Sequence, residues 1–229
     1  MNRWIAQWIK RWQWRKEARY IDDQVRYSER RWFFMQTFDY MRCRDQLRGD
    51  YYEFGCHKAA TFRMALEEAH RRNVDWMDFR AFDSFEGLPE PTGLDAGPLW
   101  ERGAFCTSEE EFLRLVRRRG LYADRIHTVK GFYEQSLTQE LQKRLMGTSR
   151  IALAFIDCDL YASTRAVLRF IDPLLQQGSV IYFDDYYMFR GDPTKGEQGA
   201  FHEYRAATAH TFEPHLQVGW FGRSWIVVK

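Results

Sequence analysis

Two short apolar runs, each followed directly by two carboxylates, constrain the fold of this chain most strongly. The runs and their carboxylates are Ile151–Ile156 with Asp157 and Asp159, and Ser179–Phe183 with Asp184 and Asp185. Short apolar runs bounded by turn signals predict buried parallel strands. Because ligands bind beyond the carboxyl ends of such strands, four carboxylates are expected in one crevice. Their mutual repulsion calls for a cation, and Mg²⁺ prefers oxygen ligands of this kind.

The rest of the chain alternates between strand and helix patterns from Asp50 onward. Five predicted strands, the second over residues 75–82, are each followed by a helix, and two further strands close the chain around residues 211–218 and 224–228. Ser108 is predicted to cap one of these helices, and two others are predicted over residues 136–146 and 163–175. This order predicts an α/β protein with a doubly wound sheet and right-handed crossovers. We therefore divide the sequence into a helical arm over residues 1–49 and an α/β domain over residues 50–229.

Composition excludes several classes of protein. The chain has 229 residues, of which 45% are hydrophobic, enough for the core of one such domain. A net charge of +2 gives no global electrostatic case for a nucleic-acid partner. The four cysteines show neither metal-site nor disulfide-framework spacing, which indicates a reducing compartment. No stretch approaches the ~20 apolar residues of a membrane span, so we expect a cytoplasmic protein.

The N-terminal arm has an unusual composition, rich in tryptophan and arginine. Its aromatic and aliphatic residues fall at helical spacing among basic ones: Trp4, Ile5, Trp8, Ile9 and Trp12. One interpretation is a basic amphipathic helix that lies on an anionic membrane surface through about residues 1–20. The other, which we favour, is an arm whose aromatic face packs on the domain or on a second subunit of a homo-oligomer.

Acidic residues also end the first two predicted strands. Glu53 and Gly55 close the first, where a glycine permits close backbone approach and a helix N-terminus offers N–H donors. A carboxylate there suits an amino-bearing ligand better than a pyrophosphate, and the full GxGxxG pattern is absent. Asp83 closes the second strand, where nucleoside-binding α/β sheets hold a ribose diol. Ordinary turns and a capped loop start are the alternatives.

Together these motifs resemble the macrocin O-methyltransferase (TylF-type) family. The matching segments, in order, are Glu53–Gly55, Phe82–Pro91, Lys130–Phe132, Ile156–Tyr161 with Ser163 and Thr164, and Phe183–Tyr186. The resemblance implies a Rossmann-like class I methyltransferase sheet of seven strands, with the last strand antiparallel. It also implies an enzyme that uses S-adenosylmethionine (SAM) and Mg²⁺ to methylate a hydroxyl of a sugar or glycosylated natural product.

The resemblance assigns cofactor-binding roles to five residues by position. Glu53 and Gly55 would face the methionine end of SAM. Asp83 would hold the ribose hydroxyls, with Ser84 and Phe85 on the adenosine side.

Three carboxylates would ligate the metal: Asp157, Asp184 and Asp185. Asp157 is also the position that the family would use as general base. We leave Asp159 outside direct metal contact because it stands beyond the strand end. At the place where the family has Gly-Gly in the first loop, this chain has Ala59 and Ala60, whose methyl groups crowd the approach to the cofactor.

Several alternatives stay open at the level of sequence. A metal that binds two adjacent hydroxyls predicts a vicinal diol acceptor, but a catechol-type phenol would satisfy it equally. Asp157 and Asp159 after a strand also match the Asp-x-Asp motif of metal-dependent glycosyltransferases. A non-catalytic, membrane-associated module that works through its arm is a third class. Among the histidines, His202 is the second candidate for a base.

Overall fold

A computed structural model describes residues 3–43 and 47–229, and it describes side chains from residue 15 onward. The aromatic face predicted for residues 4–12 of the arm therefore lies outside the described side chains. Within the described residues, no helix has both the length and the apolarity that crossing a bilayer requires.

The strands form one seven-stranded sheet, as predicted. They are β1 (Asp50–Phe54), β2 (Phe79–Asp83), β3 (Ile126–Lys130), β4 (Ile151–Ile156), β5 (Val180–Phe183), β6 (Phe212–Val218) and β7 (Gly222–Val227). Their spatial order is β3-β2-β1-β4-β5-β7-β6. The first five pair in parallel, and β7 pairs antiparallel with both β5 and β6. Strands β1 to β3 extend the sheet in one direction, and β4 and β5 extend it in the other. The switch point between β1 and β4 is where such sheets bind ligands.

Helices cover both faces of the sheet. They are α1 (Arg3–Arg42), α2 (Ala60–Arg71), α3 (Glu109–Arg117), α4 (Tyr133–Ser136), α5 (Gln139–Met146), α6 (Tyr161–Ile171) and α7 (Gly196–Ala207). One apolar cluster unites α1, α2 and α3 with one face of the strands, and a second unites α5, α6 and α7 with the other. Adjacent residues of β1 show the alternation, since Tyr51 belongs to the first cluster and Tyr52 to the second.

The arm is a single 40-residue helix whose last third belongs to the core of the domain. Phe33, Phe34 and Phe38 are fully buried. The ring of Phe33 lies 4.4 Å from that of Tyr182 on β5, and Phe34 stacks on Phe155 of β4 at 5.4 Å. The boundary between residues 49 and 50 therefore separates two regions of different composition, but it is not the edge of the core, because the core includes residues of the segment 33–41.

Short sequence motifs predicted some helix and strand boundaries correctly and others incorrectly. Ser108 caps α3 as predicted, since its hydroxyl accepts from the Glu111 N–H at 3.2 Å. The helix predicted over residues 136–146 is instead two helices, because Thr138 caps a new start and accepts from Leu141 N–H. The strand predicted from residue 75 begins only at Phe79, where pairing with β1 and β3 begins.

Candidate active site

A cavity of about 340 Å³ lies at the carboxyl edge of the sheet. Its walls include residues after β1 and β2 at one end and the carboxylates after β4 and β5 at the other. The loop between β2 and α3 contributes Leu88, Trp100 and Phe105, which enclose one side. The two groups of residues predicted from strand ends therefore share one enclosed space.

Gly55 is required by the way β1 passes β4. Its φ is +88°, and a Cβ atom there would lie 1.8 Å from the carbonyl oxygen of Asp157. The N–H of Gly55 donates to Phe82 O on β2 at 3.0 Å. No side chain fits this position, so the glycine allows the backbone after β1 to lie directly against the backbone after β4.

Glu53 lies beneath the cavity and is not among the residues that line it. It is fully buried, and its carboxylate accepts from Thr61 Oγ1 at 2.7 Å and from the Tyr51 hydroxyl. Burial raises the pKa of Glu53 to about 8. In this structure Glu53 orients Thr61, which does line the cavity.

Asp83 lines the cavity, as the ribose assignment requires. Its Oδ2 accepts from Cys56 N–H and its Oδ1 from Phe85 N–H, both at 2.6 Å. Burial raises the pKa of Asp83, although these two donors oppose the rise. The carboxylate thus joins the loops after β1 and β2 and keeps lone pairs for a ligand hydroxyl.

Ser84 and Phe85 have different surroundings. Ser84 lines the cavity, and its hydroxyl donates to Gly87 O at 2.7 Å. Phe85 turns away from the cavity with a φ of +56°, and its buried ring packs 5.6 Å from Phe112 on α3. Phe85 therefore anchors the loop to the core, and of the two side chains only Ser84 lines the cavity.

The two alanines of the first loop also differ. Ala59 is buried in the core and adopts a left-handed conformation with φ +53°, after Lys58 with φ +51°. Ala60 has ordinary helical geometry and lines the cavity. The Ala59 methyl group therefore costs backbone strain, and only the Ala60 methyl group narrows the ligand space.

Four carboxylates meet at the far end of the cavity: Asp157, Asp159, Asp184 and Asp185. Burial and the charge of Asp184 raise the pKa of Asp157 well above its ordinary value. Burial and Asp185 raise the pKa of Asp159 to about 9, and Asp159 is hydrogen-bonded to Asp185. Burial and Asp184 raise the pKa of Asp185 to about 6. Sequence reasoning set Asp159 apart, whereas the fold places it within this group.

Asp184 is paired with an arginine from the arm. Arg30 Nε donates to Asp184 Oδ1 at 2.8 Å, and Nη2 donates to Oδ2. The Tyr182 hydroxyl also donates to Oδ1, at 2.9 Å. Burial alone would lower the pKa of Arg30, but the charge of Asp184 outweighs it and the pKa is raised. Arg26, one turn earlier, also lines the cavity.

A buried glutamate connects the ends of β4 and β5. Glu197 accepts from Cys158 N–H at 3.1 Å and from Asp185 N–H at 2.9 Å. Burial and the charge of Asp185 raise the pKa of Glu197 well above its ordinary value. These two bonds fix the backbone from which Asp157, Asp159 and Asp185 project.

The long loop after β2 is anchored by Asp95. Its buried carboxylate accepts from Tyr161 N–H at 2.7 Å and from Ala162 N–H at 3.0 Å. It thus caps the first turn of α6 from a distant part of the chain. The helix predicted to begin at residue 163 starts at Tyr161 for this reason.

The donor set fits a hard divalent cation in its chemistry, because every candidate offers carboxylate oxygens. In the parts of the chain that the structure describes, however, no three His, Cys, Asp or Glu side chains form a ready metal site. On the β5 side, both oxygens of Asp184 are engaged by Arg30. A cation would therefore compete with Arg30 for Asp184.

His202, the second candidate for a base, lies on α7 away from the cavity lining. Its Nε2 is 3.4 Å from the Tyr186 hydroxyl, and burial lowers its pKa. This position gives His202 no contact with a ligand in the cavity.

The fold is that of the class I O-methyltransferases. Solved structures share this fold: the O-methyltransferase NovP has a TM-score of 0.70 at 21% identity, covering 88% of this chain and 80% of that one. The calicheamicin methyltransferase CalS11 has a TM-score of 0.65 at 20% identity, with 86% and 77% covered.

Sequence comparison narrows the class to a family. The profile of the macrocin O-methyltransferase (TylF) family matches residues 27–226, and the chain belongs to this family. A tetracenomycin derivative 4'-O-methyltransferase from Streptomyces olivaceus, which acts on a 2,3-dimethoxy-rhamnosyl compound by its name, is 28% identical over 74% of this chain and 71% of its own. Family membership confirms an O-methyltransferase and leaves the glycosyltransferase and non-catalytic alternatives without support.

Proposed function

We propose that this protein transfers the methyl group of SAM to a hydroxyl of a sugar or glycosylated natural product. Two relatives support a sugar acceptor: the S. olivaceus enzyme just described, and the calicheamicin enzyme named as a TDP-rhamnose 3'-O-methyltransferase. Two enzymes with the same fold were solved with the cofactor or its product, TomG with SAM and a Bacillus cereus O-methyltransferase with S-adenosylhomocysteine (SAH).

The observation that carries the proposal is the shared cavity. Gly55, Asp83 and Ser84 line one end, and Asp157 and Asp185 line the other. A cofactor over the first group would point its sulfonium toward the second group. Holding the acceptor in register with the methyl group is the largest contribution a site of this kind can make.

The cofactor end offers the groups that SAM needs. Asp83 can accept hydrogen bonds from the ribose hydroxyls while its two backbone donors hold it in place. The buried Glu53 acts through Thr61 in this structure, so we assign it to the methionine end as a support rather than as a contact.

The reaction is an in-line displacement at the methyl carbon. When bound, SAM would supply a methyl group on a sulfonium, so that the acceptor oxygen would form the new O–C bond as the S–C bond breaks, with the electron pair of that bond left on sulfur. The hydroxyl proton goes to a carboxylate, which we assign to Asp157. Burial and its neighbours raise the pKa of Asp157, so its ionised form is a stronger base than an ordinary aspartate. General-base assistance of this kind is worth ~10²–10⁴-fold.

We assign a Mg²⁺ site to Asp157, Asp184 and Asp185. When bound, the ion would lower the pKa of a coordinated hydroxyl and favour an acceptor with two adjacent hydroxyls. Asp159 is hydrogen-bonded to Asp185 and lines the same end of the cavity.

Calorimetry with SAH, together with methyl transfer to a panel of deoxynucleoside-diphosphate sugars, rhamnosides and catechols, tests the proposal. We expect Asp83→Ala to weaken SAH binding and Asp157→Asn to lower transfer ~10²–10⁴-fold with SAH binding retained. The exposed Asp124→Asn should match the wild type.

Three outcomes separate the parts of the proposal. Absence of SAH binding would refute the cofactor assignment. Turnover unchanged in EDTA would refute the metal assignment. Transfer to catechols but to none of the sugars would replace the sugar acceptor by a phenolic one.

A further inference from the structure

The middle of α1 presents a stripe of exposed apolar residues. Ile21 is 59% exposed, Val25 49% and Trp32 43%. Ala18 and Ser28 lie on the same stripe and are the small residues of the series. The buried rings of Phe33 and Phe34 lie on the opposite side of the helix, where it enters the core. The stripe therefore faces away from the domain.

The spacing of the stripe is that of a coiled coil. From Ala18 through Ile21, Val25 and Ser28 to Trp32 the intervals alternate between three and four residues. This alternation keeps one seam on one side of a helix and is the pattern that pairs with a second helix. The seam spans about 21 Å at 1.5 Å per residue. A helix that stands out in water without tertiary contact gains little stability by itself.

We propose that this stripe pairs with the same stripe of a second copy of the chain, the two helices running antiparallel. In that arrangement Ile21 comes level with Val25 of the second copy, and Ala18 with Ser28. Residues of similar size thus meet in both of these layers of the seam.

The charges beside the seam favour the antiparallel direction. Arg15 comes level with Glu29 of the second copy, and Glu17 with Arg31, so opposite charges meet on both flanks. Arg31 also binds Glu67 in its own chain. A parallel pair would instead place Glu17 beside Asp22, two like charges. The antiparallel pair leaves one like-charge contact, Asp22 with its own copy at the two-fold axis.

The pairing would link the dimer interface to the active site of each chain through α1. The same helix carries Arg26 and Arg30 into the cavity, where Arg30 holds Asp184. A partner that covers the outer face of α1 would therefore hold the helix whose inner face closes the site.

Sedimentation velocity on the full chain tests the proposal. We expect a species of twice the 27.6 kDa chain mass. The double variant Ile21→Glu/Val25→Glu should weaken self-association at least ~100-fold, because two charges would enter each half of the seam. Tyr20→Glu is the matched control: Tyr20 is 66% exposed on the same helix but lies off the stripe, so this variant should remain dimeric. Circular dichroism checks that all variants stay folded.

Cysteine cross-linking tests the direction of the pair. The exposed Cys43 and Cys106 are first replaced by serine, and the remaining cysteines are buried. Arg15→Cys and Glu29→Cys proteins should form a disulfide-linked pair under copper-phenanthroline oxidation only when mixed. Each protein alone should stay uncoupled.

Two outcomes overturn the proposal. One is a wild-type protein that sediments as a monomer over the whole concentration range. The other is a monomer that binds anionic vesicles and loses this binding in the double variant, which would make the stripe a membrane contact. Cross-linking of each variant with itself, and not in the mixture, would refute the antiparallel arrangement.

Discussion

Arg30 of the N-terminal helix and Asp184 at the end of β5 form a two-pronged ion pair within the active-site cavity. The side chain of Asp184 is 3% exposed and that of Arg30 21%. The arm therefore supplies a positive charge to the carboxylate cluster. Removal of either residue would leave the charge of the other largely buried and without its ion-pair partner.

We predict that Arg30→Met destabilises the fold by about 3 kcal/mol, because Asp184 would keep only the Tyr182 hydroxyl as a partner. Urea denaturation measures the loss. Mg²⁺ should raise the melting temperature of this variant more than that of the wild type, since Asp184 becomes free to bind it. Arg26→Met is the control: its guanidinium stacks on Trp220 and Phe221, and its loss should cost less. Equal stability of the two variants would contradict the prediction.

The stability of the fold should fall as pH rises through neutrality because of Glu53. Its pKa in the folded protein is about 8, against 4.5 when unperturbed, so the folded state holds a proton that the unfolded state releases. The contribution of the Glu53 proton to the unfolding free energy is complete below pH 4.5. It is lost as pH rises to about 8, at up to about 1.4 kcal/mol per pH unit.

Glu53→Gln should therefore flatten the dependence of the unfolding free energy on pH in this window. Denaturation at a series of pH values measures the slope. The exposed Glu101→Gln variant should keep the slope of the wild type. A Glu53→Gln curve parallel to the wild-type curve would contradict the raised pKa.

Relief of backbone strain should stabilise the first loop. Lys58 is exposed and has a φ of +51°, and its N–H donates to Thr107 Oγ1 at 3.2 Å, a bond that any residue can make. We expect Lys58→Gly to raise the unfolding free energy by about 1 kcal/mol. Ala60→Gly, where the backbone is helical, should lower it by about 0.5–1 kcal/mol. Thermal denaturation gives both values, and the same sign for both would refute the argument.

The cap on α6 should hold the loop that encloses the cavity. Asp95→Ala removes acceptors for two N–H groups and should cost about 1–2 kcal/mol. Trypsin should then cleave faster after the exposed Arg102 in that loop. Asp95→Asn keeps one oxygen and should give an intermediate rate. Identical cleavage of the wild type and Asp95→Ala would show that the cap does not hold the loop.

Signals local in sequence predicted most of the sheet. The apolar run of β4 was predicted with its observed bounds, and the strand-end rule brought Asp83, Asp157 and Asp185 to one cavity. These predictions are correct because the burial pattern of a strand is determined by consecutive residues. Glu53 and Phe85 were predicted as cofactor contacts from position alone, and in the fold they lie behind the wall of the cavity.

The contacts that sequence reasoning missed join distant segments. Arg30 and Asp184 are 154 residues apart, Asp95 caps a helix 66 residues later, and Glu197 reaches back 39 residues to Cys158. Nothing near Arg30 distinguishes it from the other arginines of the arm. The residues around Glu197 likewise give no indication of the N–H groups that its buried carboxylate binds.

The amino-acid sequence by itself determined the succession of strands along the chain and the meeting of carboxylates at one edge of the sheet, because these follow from short-range periodicity and from where strands end. The family followed from the resemblance of the strand-end motifs. Only the tertiary structure decided which carboxylates touch a ligand space and which are already engaged. Hydrogen-bond partners depend on how helices and loops pack across the sheet. That packing placed Arg30 on Asp184, turned Glu53 inward and brought Asp159 into the cluster.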